Sequence, residues 1–341
     1  MTKLPTSFKS EQELDSFVTT PSQELIEYMK TLEGDIMVLG AGGKMGPAVS
    51  VMAKRATEAA GVSRKIYAVD KFPMEALAKA GIETIECDLL DIDAVRQLPK
   101  AKNIVYLVGR KFGSEGNQGL TWAINVIIPS NIGRVFKDCN IVSLSTGCVY
   151  PVADINTVGC SEADAPAPVG EYATSCLGRE RVFEFYSEIN NLNVVNLRLN
   201  YSLELRYGVI SDIALKVHGG KPVDLTSGYY NGLWQGDTCN CILRSFSFAA
   251  NPAVPLNITG PETLSVRKTA TQLGELMGVE PIFEGEENGK SYLNDATKAN
   301  AAFGNPSVPV GQVIKWVAQW VGGGGDSWGK PTHFEVQNGK Y

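Results

Sequence analysis

The sequence predicts an α/β fold: a doubly wound parallel sheet with a smaller α/β lobe appended to it. Three observations carry that expectation. Six strand-like apolar segments, at 35–39, 65–70, 83–87, 103–108, 140–144 and 193–198, alternate with helical patterns, the rhythm of a parallel sheet with crossover helices. The first segment, Ile36-Met37-Val38-Leu39, breaks into Gly40-Ala41-Gly42-Gly43-Lys44-Met45-Gly46 and resumes as a helix. The alternation then fails over 201–232 and again after 256, where Gly219-Gly220-Lys221-Pro222 and Gly228 punctuate turns.

In chain order, residues 10–33 carry helical spacing (Leu14, Phe17, Leu25, Tyr28, Met29, Leu32) with Glu11 and Glu13 near a start, so residues 1–33 are expected as a helical extension. Gly40, Gly43 and Gly46 stand at G-x-x-G-x-x-G spacing around Lys44 and Met45. Glycines there allow a sharp turn after a buried strand, bring backbone N–H groups against a pyrophosphate, and let the next helix pack closely on the sheet. Val49, Met52 and Ala53 continue a helical face. The second strand ends in Asp70, 24 residues after Gly46, near where an acidic group accepts hydrogen bonds from the adenosine ribose. A 2′-phosphate would meet like charge there, so NAD is favoured over NADP, with Lys71 and Arg64 as the opposing neighbours. Residues 34–200 with 233–255 are expected to form a Rossmann domain, and 201–232 with 256–341 a substrate lobe and C-terminal tail. Asn338-Gly339 marks a turn too near the end to close a long hairpin.

Composition narrows the functional classes. The 341 residues are 44% hydrophobic and 20% charged, which fits a folded chain with a large core. A net charge of −6, with no run of Lys and Arg, argues against nucleic acid or anionic lipid as a partner. No stretch reads as a signal peptide or membrane span, so the cytoplasm is the expected location. Seven cysteines read as reduced thiols, with Cys239-x-Cys241 the one close pair, and no metal-ligand spacing appears. His218, in an expected surface loop, and His333, in the tail, are given no role; His333 reaches a site only if the tail folds back. No G-x-S-x-G elbow supports a serine triad.

The glycine spacing, Asp70, Cys87-Asp88-Leu89, Asn125 in its helix, Leu144-Ser145-Thr146-Gly147-Cys148-Val149-Tyr150, and Tyr172 followed by a helix together resemble the extended short-chain dehydrogenase/reductase family, the sugar-nucleotide epimerases and dehydratases. The resemblance covers roughly residues 34–320 and includes Asn257-Ile258-Thr259-Gly260-Pro261-Glu262, similar to the family's strand and turn before a late helix. It implies an NAD cofactor on Gly40, Gly43, Lys44, Met45, Gly46 and Asp70, with Asp88 and Leu89 bordering the adenine. Val108, Gly109 and Arg110 would line the cofactor after the fourth strand, with Leu144, Tyr172 and Cys176 also against it, and Asn125 would support the catalytic helix. It further implies that Tyr172 handles a hydroxyl proton beside Thr146, and that two copies pair through helices around 115–136 and 171–188.

Two departures stand out. The family signature is Tyr-x-x-x-Lys, whose lysine lowers the tyrosine pKa; this chain has Tyr172-Ala173-Thr174-Ser175-Cys176. A tyrosine left near its usual pKa of about 10 is ionised roughly one part in a thousand at pH 7, a deficit of about 4 kcal/mol for base catalysis. Arg179 and Arg181 lie on later turns, and Lys111 can substitute only if the tertiary structure carries it there. Cys176 reads as packing in the space of the lost lysine. Second, Thr146-Gly147-Cys148 differs from the Thr-Asp-Glu of the 4,6-dehydratases. Followed by Val149-Tyr150-Pro151 it is similar to the GDP-mannose 3,5-epimerases, where that cysteine is an acid/base at carbon; the alternative is a small buried residue at a strand end.

On the substrate side, Ser145, Thr146 and Asn200 are the candidates nearest the chemistry, with Arg206 and Trp234 from the variable lobe. The neighbourhood Tyr229-Tyr230-Asn231-Gly232 before Trp234 holds no cation, and without a guanidinium fork a nucleotide diphosphate loses its bidentate clamp. A sugar, sugar acid or related polyol is the first substrate class. Tyr229, Tyr230 and Trp234 suit either a sugar face or a core. Three functions follow: an NAD-dependent oxidoreductase or epimerase, an NAD-binding sensor with little turnover, or a lyase or isomerase using tightly held NAD transiently.

Overall fold

The computed structural model describes residues 4–111, 113 and 116–340. Its centre is a seven-stranded parallel sheet of β1 (Ile36–Leu39), β2 (Ile66–Asp70), β3 (Glu83–Glu86), β4 (Asn103–Tyr106), β5 (Asn140–Thr146), β6 (Asn193–Leu199) and β7 (Val254–Ile258). The spatial order is β7-β6-β5-β4-β1-β2-β3. β1 aligns Ile36 with Ile66 of β2 on one side and Asn103 of β4 on the other. The strand order therefore reverses at β1 and β4, which opens a crevice at their carboxyl ends. The six expected strands are all present. The seventh, β7, pairs with β6 at the edge, so the domain boundary expected at 255 falls inside a strand of the sheet.

Helices cover both faces of the sheet or build the smaller lobe: α1 (Glu11–Val18), α2 (Gln23–Thr31), α3 (Gly46–Ala59), α4 (Glu75–Lys79), α5 (Ile92–Arg96), α6 (Gln118–Trp122), α7 (Ile128–Val135), α8 (Gly170–Asn190), α9 (Val209–His218), α10 (Gln235–Arg244), α11 (Val266–Met277), α12 (Thr297–Phe303) and α13 (Val310–Gly322). Alternate strand residues serve opposite cores, as the period of two requires. Ile36 and Val38 pack with Met52 and Ala53 of α3 and Ile242 of α10, whereas Met37 and Leu39 pack with Ile128 and Ile132 of α7 and Phe183 of α8. Burial on both faces explains why β1 and residues 104–106 of β4 read as apolar runs.

A second core, built on α9, α11 and α13, forms the smaller lobe. The N-terminal helices divide between the two cores: Leu25 and Met29 of α2 join the sheet, Leu14 and Val18 of α1 join the lobe. The tail after α13 returns across the molecule. Phe334 is buried in the lobe core, Gln337 Nε2 donates to the Lys290 carbonyl (2.9 Å), and Gly339 lies against Gly170 at the start of α8. His218, expected in a loop, is the last residue of α9. All seven cysteines are free thiols. No helix among the described residues is long and apolar enough to cross a membrane.

Candidate active site

The glycine turn after β1 is built by close approach. Gly40 has φ +81°, and a Cβ on Gly46 would lie 2.5 Å from the Cα and carbonyl oxygen of Ala41, so no larger residue lets α3 start here. Met45 caps α3 without a side-chain hydrogen bond, leaving the first N–H groups of a 14-residue helix facing the turn. Lys44 Nζ sits 3.4 Å from the Tyr207 ring centroid. Burial, reinforced by repulsion from Lys111 and Lys330, pushes its pKa down to about 7. At the end of β2, Asp70 Oδ2 accepts the Gly42 N–H (2.9 Å) and steadies the turn.

Asn125 lies in a single π-helical turn, Ala123–Ile127, between α6 and α7. Its Oδ1 accepts the Arg110 N–H (2.8 Å), while its Nδ2 donates to the Arg110 carbonyl (3.1 Å) and Ser175 Oγ (2.9 Å). The loop after β4 is thereby tied to α8, which carries Tyr172 in its first turn. From the end of β5, Thr146 lines the same cavity as Tyr172 and its hydroxyl oxygen accepts the Cys148 N–H at 3.2 Å. Burial holds the Tyr172 pKa well above its usual value, with Cys176 and Cys148 adding to the rise and Thr146 and Arg179 opposing it.

These groups share a cavity of about 370 Å³ at the carboxyl ends of β1, β4, β5 and β6. Gly40, Gly43, Lys44, Met45 and Gly46 line one end; Gly109, Leu144, Ser145, Thr146, Cys148, Tyr172 and Asn200 line the other. A glycine cradle, a helix start and a hydroxyl pair thus open into one space.

The sequence model of the NAD dependent epimerase/dehydratase family matches residues 36–232. The chain belongs to that family. Solved structures with the same fold include a dTDP-glucose 4,6-dehydratase from Bacillus anthracis in complex with NAD (17% identity, TM-score 0.71, covering 85% of this chain and 96% of that one). They also include a UDP-glucuronic acid 4-epimerase from Bacillus cereus with UDP-glucuronic acid and NAD (16%, 0.70, 84% and 98%) and a UDP-glucose 4-epimerase from Thermus thermophilus with NAD (18%, 0.68, 84% and 98%). Comparison with curated proteins gives no significant match.

For a member of this family several expected contacts fall elsewhere. Ser145 borders the cavity, but its hydroxyl donates to Glu180 Oε1, because Glu180 needs partners where it is buried with Arg198. Arg206 lies outside this cavity; its guanidinium is committed to Glu204, Asp15 and Glu11. Trp234 is in the core between Phe17 and Trp316, with ring centroids 6.0 and 5.4 Å away, and Tyr230 is buried in the lobe. Leu89 is buried, and Asp88 bonds Lys71 (2.7 Å) and the Leu90 N–H (3.1 Å), contacts that hold its carboxyl below the usual range. Val108, Arg110, Asp70 and Asn125 support the walls without lining this cavity. Cys176 packs beneath it with Val149 and Tyr150. Asn200 lines it, with its Nδ2 donating to Asn231 Oδ1 and the Tyr292 carbonyl.

Other lining residues had no assigned role from sequence, although Arg179 and Lys111 were weighed as cations near Tyr172. Arg179 had a signal, since seven residues after Tyr172 is the same helix face. Lys111 is brought in by the fold: its Nζ lies 5.9 Å from the Tyr172 ring centroid and donates to the Thr332 carbonyl (2.7 Å). Tyr201, Tyr207 and Thr332 carry no local signal, because the variable lobe and the tail place them.

Proposed function

We propose that the protein is an NAD-dependent oxidoreductase or epimerase that acts on a sugar, sugar acid or related polyol at a carbinol carbon. The observation that carries this reading is that Tyr172 and Thr146 line the same cavity as the glycine turn. The turn fits a dinucleotide: Gly46 admits no Cβ, and the start of α3 has no side-chain cap to compete with a pyrophosphate. Gly43, Lys44 and Gly46 would hold the pyrophosphate and Asp70 the adenosine ribose. Preference for NAD over NADP is supported by the neighbours of Asp70. Lys71 is paired with Asp88, and Arg64 donates to the carbonyls of Gly34 and Leu32, so neither is spare for a 2′-phosphate.

NAD, when bound, supplies the hydride acceptor or donor. Tyr172 takes or returns the substrate hydroxyl proton, Thr146 orients that hydroxyl, and Cys148 moves a carbon-bound proton where the reaction is an epimerisation. The neighbouring structures include enzymes with UDP-sugars. A nucleotide diphosphate remains the second substrate choice here, because Arg206 is already occupied by carboxylates. Exposed Trp122, Ile127, Phe185 and Ile189 on α6, the π-helical turn and α8 support pairing of two copies through these elements.

Native mass and absorbance spectra of the purified protein, followed by NADH formation across free sugars, sugar acids and nucleotide sugars, test the reading. Bound NAD with a substrate-dependent signal supports it; no affinity for NAD overturns it. Tyr172→Phe should lower turnover by about 10²–10⁴-fold while sparing NAD affinity. Cys148→Ser should impair epimerisation more than hydride transfer, and equal, negligible effects would return Cys148 to packing.

A further inference from the structure

We propose that Arg179 supplies, from two turns along α8, the positive charge beside the Tyr172 hydroxyl that Tyr-x-x-x-Cys lacks. The inference rests on the proton role given to Tyr172 above. Side chains on a helix slope toward its N-terminus, so the guanidinium of residue 179 reaches back to the level of residue 176. Two small residues make room for it. Cys176 ends at Sγ, 4.0 Å from Nη2, and a Cβ on Gly109 would stand 2.9 Å from the same nitrogen. The long cation thereby occupies space that a lysine at 176 would fill.

Its placement is fixed, its guanidinium carbon lies 5.6 Å from the Tyr106 ring centroid, and no carboxylate neutralises its charge among the described residues. Nη1 donates to the Leu144 carbonyl and Nη2 to Asn125 Oδ1 (3.0 Å), both neutral acceptors. The adjacent Glu180 is taken by Arg198 at 2.7 Å, and no carboxylate pairs with Arg179 among the described residues. Nε is buried with no hydrogen-bond partner among them. Arg179 is only 4% exposed yet lines the cavity. A buried, unneutralised guanidinium is costly, and the ionisable hydroxyl and thiols around it are the groups that gain from it.

The groups facing Tyr172 come from every side: Cys176 and Arg179 on α8, Thr146 and Cys148 from β5 and its turn, and Lys111 from the loop after β4. Lys111 sits toward the ring with its Nζ on Thr332, and its burial lowers its own pKa. A guanidinium, by contrast, stays charged throughout the working range.

The test reads the phenol itself. The full chain carrying 3,5-difluorotyrosine at position 172, whose phenol ionises at lower pH than tyrosine's, is titrated by fluorine NMR without substrate. Arg179→Met should raise the midpoint by about one unit or more, because losing a nearby cation disfavours the phenolate. Arg179→Lys, or Cys176→Lys together with Arg179→Met, should bring it back, which a purely structural role would not do. An unchanged midpoint in Arg179→Met, or a shift produced by Lys111→Met alone, overturns the proposal. Should Arg179→Met not fold, Arg179→Gln keeps amide donors toward Leu144 and Asn125 without the charge and is read the same way. In the unlabelled enzyme the alkaline shift should reappear in the pH profile of kcat, with KM less affected. An enzyme without turnover would fail the functional reading while leaving the titration intact.

Discussion

Lys44 couples the glycine turn to pH. The ordinary ammonium pKa of 10.5 is lowered to about 7, first by burial and then by Lys111 and Lys330, with Asp212 opposing. A pyrophosphate in the turn would favour the charged form and raise that value, so binding above pH 7 takes up a proton. Affinity for NAD should therefore be highest below pH 7 and fall as pH rises through and beyond it. Calorimetry about one unit above the midpoint, in buffers of different ionisation heat, should show proton uptake, and Lys44→Met should abolish it. The sign is opposite for folding, which lowers this pKa instead of raising it. The unfolded chain binds the extra proton between about 7 and 10.5, so the Lys44 contribution to stability rises with pH across that window and Lys44→Met removes the slope.

Among the elements, the junction of β1 and α3 is the least tolerant of change. Ala at 46 would drive its Cβ to 2.5 Å from the Ala41 backbone, which has no rotamer to yield, so α3 must shift away from the turn. Gly46→Ala should cost about 1–3 kcal/mol in stability and most of the dinucleotide affinity. Gly119→Ala, on α6 with open space around it, should be neutral or slightly stabilising. Thermal melts and NAD titrations of both variants check the contrast. This junction was legible in sequence because its demands are local: an apolar run, fixed glycine spacing, a carboxylate after the next strand. Tyr172 and Thr146, which the structure brings to one cavity, were named as candidates from equally short motifs. Arg179 was named only as lying on a later turn, because spacing shows no more than that it shares a face with Tyr172. That its guanidinium reaches the cavity depends on Gly109, Asn125 and Leu144, which come from three other segments. The partners of Ser145, Arg206 and Trp234 were hidden for the converse reason, since Glu180, Asp15 and Phe17 contact them across long separations.

At the scale of the whole molecule, the chain ends clamp the two lobes around the cavity. From the N-terminal side, Asp15 and Glu11 hold Arg206, Arg55 donates to Thr19 Oγ1 (2.7 Å), and the Pro5 carbonyl accepts from Trp316 Nε1 (2.9 Å). From the C-terminal side, Trp328 stacks on Tyr207 at 6.0 Å, and the Thr332 N–H donates to Asp212 (2.7 Å) while its carbonyl receives Lys111. No periodicity in the tail announced this, because its contacts are single residues set into an existing surface. Thr332 lines the cavity that Cys148 also lines, and Cys148 is 6% exposed. Removing residues 327–341 takes away one wall together with the buried Phe334, whose ring alone is worth about 3–5 kcal/mol to the lobe core. The truncated chain should melt earlier, release NAD faster and expose Cys148 to alkylation. Phe334→Ala should share the loss of stability. Thr332→Val should keep the wall and the Lys111 contact while weakening the hold on Asp212, since the backbone carbonyl is unchanged. Mass spectrometry of alkylated peptides under native conditions separates the effects. A rise of about tenfold or more in Cys148 labelling on truncation, with Cys139 in the opposite core unchanged, marks the tail as a wall. Equal labelling in the intact and truncated chains would confine the tail to stabilising the lobe.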